Sequence, residues 1–495
     1  YFKPLAMSGI YHDAHVSPKN VFLPAMTAYA ATKIVSKDPA IQVVAKNMPS
    51  VVKVATVYCI DFNLVLGNTS QAILGGCGGG TGSGFIVTPS GYVATNGHVV
   101  KFTPLDVLVD SIYLRNQSVT KSYLDFLVKT GQTKQATADS YYQASIEGDR
   151  QAQDEIVGSM ALLPTETSTR VIKEEATYAV QLSNEAIKFD YKNLKNINFS
   201  TNIVPAKLVD ADYDPYADIT TDGFKSSDVA ILKLADGGNY PFVSLGSIDG
   251  LSAGSPLVVI GFPGLAENEL VNTSESVPTS TEGKVSSIRT AKGTSNKLIQ
   301  SDVSIAQGNS GGPAFNSLGE VVGIATYGYE DNGVKLNYMR DVADLKALLG
   351  KNNIALPNAV SGTQKYWEEG LRRYTRAYYS SAIDLFKKSL SSYPQNRVAA
   401  EFIAKAENYK KDGKEAIPPE IYGAFIGGAV VLVFIPATIM FFVVRHHRKR
   451  KRTHEEYIRS NAIQMSPRPE PAKPPALQQP KSSDKDMIRN APGPQ

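Results

Sequence analysis

A mainly β fold, interrupted by one helical insertion and followed by helices, is predicted by three observations. Glycine and β-branched residues dominate 50–100 and 255–330. Turn signals separate short apolar runs, as at Thr88-Pro89-Ser90-Gly91 between Gly82–Val87 and the run ending at Val100. Further along, Tyr178, Val180 and Leu182 alternate as in a half-buried strand.

The elements follow in chain order. Residues 1–44 form an N-terminal segment, with a short helix expected over Asp38–Asn47. The β domain is assigned to 45–350 and is long enough to bury a real core. Inside it, Ser118–Ala161 has helical spacing: Val119, Tyr123, Phe126 and Leu127 share one face, and Tyr142, Ile146, Ile156 and Met160 follow. This insertion is placed at about 115–165, closed by Pro164 and a Thr/Ser run. Loops of this size often carry function. Two roles stay open for it, a cover or partner-docking element near the site and a surface subdomain.

Three short stretches carry chemistry. Gly308-Asn309-Ser310-Gly311-Gly312-Pro313 sets a serine between glycines, in a loop able to aim backbone N–H groups at one point beside the hydroxyl. Thr95-Asn96-Gly97-His98-Val99-Val100 ends the second strand of the predicted hairpin with a histidine. Ser227-Asp228-Val229-Ala230-Ile231-Leu232-Lys233-Leu234 opens an apolar strand with an acid. Each is ordinary by itself; the three together, in the order His, Asp, Ser, are improbable by accident.

With those motifs the chain resembles the HtrA/Deg branch of the trypsin-like serine proteases. Matching segments are GSGFIVTPSGYVATNGHVV at 82–100, DVAILKL at 228–234 and QSDVSIAQGNSGGPAFNSLGEVVGIAT at 300–326. The resemblance implies two six-stranded antiparallel β-barrels with a cleft between them. His98 and Asp228 would come from the first barrel and Ser310 from the second. It implies that His98 takes the Ser310 proton, that Asp228 orients the imidazole, and that the Gly308–Asn309–Ser310 backbone forms an oxyanion hole. It places Ser304 at the base of the primary specificity pocket, with Ile324, Ala325 and Thr326 lining it and pairing with an extended substrate. No acid stands at Ser304, so cleavage after small or medium aliphatic residues of unfolded or extended polypeptides is expected. The rival reading is a catalytically silent, membrane-tethered binding protein that uses the same fold.

Departures from the family are also legible. Its usual PDZ domain does not fit the helical stretch between the β domain and residue 421. Residues 363–412 look instead like one degenerate tetratricopeptide repeat with a capping helix: Gly370, Ala382, Phe386 and Pro394 keep its spacing, while Arg373 and Ser389 depart from it. A peptide- or partner-binding role and a spacer role both stay open, as does homo-oligomerisation.

Residues 421–444 carry no charge across 24 positions and are read as a transmembrane helix. Six Lys/Arg in Arg445–Arg452 place the following end in the cytoplasm and the preceding domains outside it. Residues 445–495 hold 12 Lys/Arg against 5 Asp/Glu, while the whole chain is only +4. The basic excess therefore belongs to the tail, which favours anionic lipid over nucleic acid as its partner. From Ser466 onward the tail is Pro-rich with few large apolar residues, the composition of a disordered segment. A domain outside the cytoplasm calls for an export signal, and none is seen from Tyr1 onward; an upstream signal or anchor is expected to have been removed or to lie beyond these residues. Cys59 and Cys77 are a feasible disulfide that the sequence cannot decide. No Cys/His cluster has metal spacing, so neither metal nor cofactor is implied.

Overall fold

The computed structural model describes residues 38–163, 168–189, 196–216, 219–220, 223–264, 274–331 and 334–462, without the side chains of 162, 219–220, 223, 329–331, 334–335, 420–434 and 461–462. It divides into two units, residues 1–416 and 417–495.

In the first unit, β1 (Val51–Leu66), β2 (Thr69–Ile86), β3 (Tyr92–Thr95), β4 (Thr169–Gln181), β5 (Ile203–Asp212) and β6 (Val229–Leu234) close into an antiparallel barrel ordered β1-β2-β3-β6-β5-β4. A second set follows: β7 (Pro256–Gly261), β8 (Thr279–Thr290), β9 (Lys297–Ser301), β10 (Pro313–Phe315), β11 (Glu320–Asp331) and β12 (Val334–Asp341). These run β10-β7-β8-β9-β12-β11, and pairing of β11 with β10 closes the ring. The expected pair of six-stranded barrels is therefore present, and both have the same internal order. Phe85, Val87 and Ile231 of the first barrel meet Ile260, Phe315 and Ile324 of the second in one buried core, joined by Leu345 and Leu348 of helix α6 (Val342–Lys351). Each such side chain removed from water stabilises the fold by roughly 1.5–3 kcal/mol.

Helix α1 (Pro39–Asn47) precedes β1, started by the Asp38 carboxylate accepting from Ala40 N–H at 2.9 Å. Four more helices lie between β3 and β4: α2 (Pro104–Tyr113), α3 (Gln117–Lys129), α4 (Gln135–Glu147) and α5 (Arg150–Gly158). The helical part begins at Pro104, where Thr103 and Asp106 form a reciprocal capping box. Its apolar faces (Val107, Ile112, Tyr123, Phe126, Ile156) pack on Ile60, Phe62, Leu64 and Ile73, in the part of the β1–β2 hairpin nearest its turn. The free edge of β2 is finished by side chains in place of a strand. Asp110 accepts from Gly79 N–H at 2.9 Å, and Ser111 and Asn116 donate to the carbonyls of Cys77 and Gly75, each at 3.2 Å. Capping an edge in this way blocks unwanted strand pairing. Cys59 and Cys77 stand directly opposite each other on β1 and β2 and are joined as a disulfide.

Helices α7 (Gly362–Thr375), α8 (Tyr379–Ser392) and α9 (Arg397–Lys411) enclose an aromatic core of Trp367, Tyr374, Tyr379, Phe386 and Phe402. A side chain at Gly370 would meet the Phe386 ring, which explains the small residue. The unit is seated on α1 and the first barrel: Trp367 donates to Lys46 C=O at 3.0 Å, and buried Tyr393 packs edge-on against Tyr240.

The second unit contains α10 (Pro419–Ala462), 44 residues with Pro436 inside. It continues through the Arg445–Arg452 cluster, in keeping with the helix propensity of Arg and Lys. Among the described residues no helix is long and apolar enough to cross a membrane. Of the expected span 421–444, the side chains of 421–434 lie outside the described residues, as does the tail from 463.

Candidate active site

His98 lies in the short 3₁₀ turn Gly97–Val99 immediately after β3, and Asp228 immediately before β6, its strand neighbour in the barrel. Strand pairing thus brings together residues 130 positions apart. His98 Nδ1 is 2.9 Å from Asp228 Oδ2, and the His98 backbone N–H donates to Oδ1 at 3.0 Å. The Asp228 side chain is only 5 % exposed while the imidazole side chain is 35 % exposed, so one partner is shielded and the other faces solvent. Where Nδ1 donates to this carboxylate, Nε2 is left as the basic nitrogen. Gly97 has to be glycine, since a Cβ there would collide with Tyr213. Asp228 takes the left-handed φ of 51°, uncommon outside glycine and typical of functional sites.

Ser310 follows β9 in a loop braced from both barrels. Ser83 N–H donates to Ser310 C=O at 2.7 Å, and Ser83 Oγ donates to Gly308 C=O at 2.7 Å. Gly311 N–H bonds Ala325 C=O at 2.8 Å, and Ala325 N–H returns to Gly312 C=O at 2.9 Å. Gly311 (φ 85°) has no room for a side chain, which would strike Ser83 C=O and Thr95 Oγ1. Asn309 N–H closes a turn to Ala306 C=O at 3.0 Å, whereas among the described residues neither Gly308 N–H nor Ser310 N–H donates to a backbone carbonyl.

His98 and Asp228 touch directly; Ser310 joins them through Thr326 and Asn96. Ser310 Oγ donates to Thr326 C=O at 3.2 Å, and Thr326 Oγ1 reaches Asp228 Oδ2 at 3.3 Å. Asn96 Nδ2 is shared between Asp228 C=O (2.8 Å) and Thr326 Oγ1 (2.7 Å). Thr326 is placed for this by a register shift between Ala325 and Tyr327 in the β11–β12 ladder.

Of the residues expected at the substrate side, Ile324 is buried in β11 opposite Pro313 and Arg340, and Ala325 spends its N–H and C=O on the serine loop. Ser304 is exposed, its carbonyl accepting from the Thr281 hydroxyl at 3.2 Å. Sequence reasoning gave no role to Ser83, Asn96 or the hydroxyl of Thr326 in bracing the site. All three lie inside the motifs that named His98 and Ser310, so adjacency was the available signal. Among the described residues no group of three or more His, Cys, Asp or Glu is arranged to hold a metal ion.

A family model described as a trypsin-like peptidase domain matches residues 165–324, a span that holds Asp228 and Ser310 and begins beyond His98. The chain is similar to a probable periplasmic serine endoprotease DegP-like of Pseudomonas fluorescens, 33 % identical over 195 residues that cover 38 % of this chain and 33 % of the relative. It is also similar to a serine protease Do-like HtrA of Bacillus subtilis, 27 % identical over 192 residues, 38 % of this chain and 40 % of the relative. A DegP-like relative from Pseudomonas savastanoi is 30 % identical over 223 residues, 41 % of this chain and 38 % of that protein. The chain thus spans a third to two-fifths of the length of these curated relatives.

Proposed function

We propose that this chain is a serine endopeptidase that cleaves extended or unfolded polypeptides with His98, Asp228 and Ser310. The observation that carries the reading is the 2.9 Å contact between His98 Nδ1 and the buried Asp228 carboxylate, joined through Thr326 to the Ser310 hydroxyl. The chemistry runs as follows. Substrate binding turns Ser310 Oγ from Thr326 C=O toward the scissile carbonyl while His98 Nε2 takes its proton. Asp228 stabilises the imidazolium without itself being protonated. Gly308 N–H and Ser310 N–H receive the developing oxyanion, His98 returns the proton to the leaving amine as the C–N bond breaks, and a water deprotonated by His98 then hydrolyses the acyl ester left on Ser310. Cleavage after small or medium aliphatic residues is part of the proposal, with Ser304 and the β11 segment 324–326 near the primary pocket.

Membrane anchoring belongs to the same proposal. The uncharged stretch 421–444, followed by the basic run 445–452, supports a single-pass anchor with residues 445–495 in the cytoplasm and the barrels outside it. The relatives named as periplasmic endoproteases agree with that side for the barrels. A role in extracytoplasmic protein quality control or processing fits. Helices α7–α9, read as a tetratricopeptide-like unit, form part of the barrel-bearing unit.

The test is hydrolysis of an unfolded protein such as reduced casein by wild type and by Ser310→Ala. The variant is expected to fold and to lose at least about a thousandfold in turnover. Wild-type cleavage by Ser310→Ala refutes the proposal.

A further inference from the structure

Arg340, next to last in β12, is 0 % exposed. It stands opposite Ile324 on β11 and Leu298 on β9. Directly opposed residues share a sheet face, so its side chain enters the layer between the barrels where Ile324 is packed. Its Nε, Nη1 and Nη2 have no hydrogen-bond partner among the described residues, and the guanidinium lies 4.4 Å from the Phe224 ring centroid. Arginine is almost never fully buried unless paired, because an isolated buried charge is costly. Asp344 in the first turn of α6, half-buried, feels Arg340 as an attraction, and the buried Asp341 and the exposed Asp212 as repulsions.

The same space backs the connection that delivers Asp228. Phe224 N–H donates to Lys292 C=O at 2.9 Å, tying that connection to the second barrel. Asp212 accepts from both the N–H (3.1 Å) and the hydroxyl of Ser227, and Asn296 Nδ2 reaches the same hydroxyl at 3.2 Å. Asp228 comes next, in its left-handed conformation. The Phe224 ring is 5.7 Å from that of Tyr327, which directly follows Thr326.

Resting on the reading of His98 and Asp228 as base and acid, we propose that Arg340 is a positioning residue. Its buried guanidinium, held against Phe224, fixes residues 224–228 so that Asp228 meets both His98 and Thr326. A desolvated cation over an aromatic face is the strong form of that contact. Deleting the charge frees Phe224 and lets the acid drift from the imidazole. A misaligned Asp228 stabilises the imidazolium less, so His98 loses its proton at lower pH.

The test uses the full chain. Arg340→Met removes the charge and keeps the apolar stem, a change buried charges commonly tolerate; Phe224→Leu removes only the ring. Peptide hydrolysis is measured from about pH 5 to 9, with Ser310→Ala as the blank. Both variants are expected to lose about ten- to a thousandfold in kcat with KM within about twofold. The acid limb of kcat/KM moves to lower pH, and Arg340→Lys recovers part of the loss. In a Ser310→Ala background, the far-downfield proton resonance of the His98–Asp228 hydrogen bond is expected to weaken or vanish when Arg340→Met is added. Unchanged kcat and acid limb in Arg340→Met overturn the assignment, as they do in Phe224→Leu should Arg340→Met not fold. If Ser310→Ala itself cleaves peptide, the proteolytic reading fails instead, and the proton resonance alone decides whether Arg340 positions the pair.

Discussion

The two barrels are wound in the same order, and they differ most in the connection from third to fourth strand. In the first barrel that connection is residues 96–168, with His98 in its first turn and four helices after it. In the second it is residues 302–312, a bare loop carrying Ser310. Equivalent positions in two rings thus deliver His98 and Ser310, the proposed base and nucleophile, to one seam. The first connection could lengthen because only its first residues are tied to the seam. The helices beyond leave it, pack on the β1–β2 hairpin and finish the β2 edge. The second could not, since residues 308–312 are bonded to Ser83 of one barrel and Ala325 of the other.

The largest way to break this pairing is at the acid. Asp228→Asn leaves volume and packing intact but favours the wrong imidazole tautomer, and a loss of about 10⁴ in kcat near neutral pH is expected. Full activity in peptide hydrolysis contradicts a shared seam. Next is the bare loop. Gly311→Ala drives a methyl into Ser83 C=O and Thr95 Oγ1, so a loss of at least about a hundredfold is expected with only a modest fall in Tm. An alanine variant with normal turnover shows that the loop is not held as described.

A smaller effect sharpens the link between the halves. Thr326→Val keeps shape and removes the hydroxyl that bonds Asp228 and Asn96. A hydrogen bond to a charged group contributes about 1.5–3 kcal/mol, so kcat/KM should fall by about ten- to a hundredfold. Unaltered kinetics sink Thr326 as the bridge. By contrast, Asp110→Ala strips the Gly79 N–H of its acceptor, far along β2 from the serine loop. It should cost about 1 kcal/mol in urea unfolding and leave peptide hydrolysis unchanged; a large kinetic loss ties the helices to the seam after all.

The smallest expected effect concerns pH. Burial pushes the Asp344 carboxyl up to about 7, with Arg340 opposing the rise. Between about 4, its ordinary value, and about 7, the folded chain holds a proton that the unfolded chain has lost. Stability therefore falls as pH rises through that window and is flat above it. The Tm advantage of Asp344→Asn over wild type should widen from about pH 4 to 7 and then hold. A pH-independent gap contradicts this.

Much of the fold was legible because strands and turns declare themselves locally. The hairpin at 82–100 and the strand at 228–234 appear close to where the pattern set them, and so does the helix after Asp38. His98 was legible as the end of a strand and Ser310 as a residue among glycines. The contribution of Thr326 was not, because it depends on a register shift that only the β11–β12 ladder creates. The helical start at Pro104 was missed for a different reason: Thr103 and Asp106 cap a helix whose apolar face is recognisable only against the β1–β2 hairpin. The Cys59–Cys77 bond needed the strand register that sets the two residues opposite each other. Arg340 gave no sign at all, since a lone arginine in a strand ordinarily reads as exposed.

The most direct test of the central claim is covalent labelling with a fluorophosphonate, followed by peptide mapping, in wild type and in His98→Ala. One adduct is expected, on Ser310, formed at least about a thousandfold more slowly when the imidazole is gone. An adduct on another residue, or equal rates in the two proteins, contradicts it.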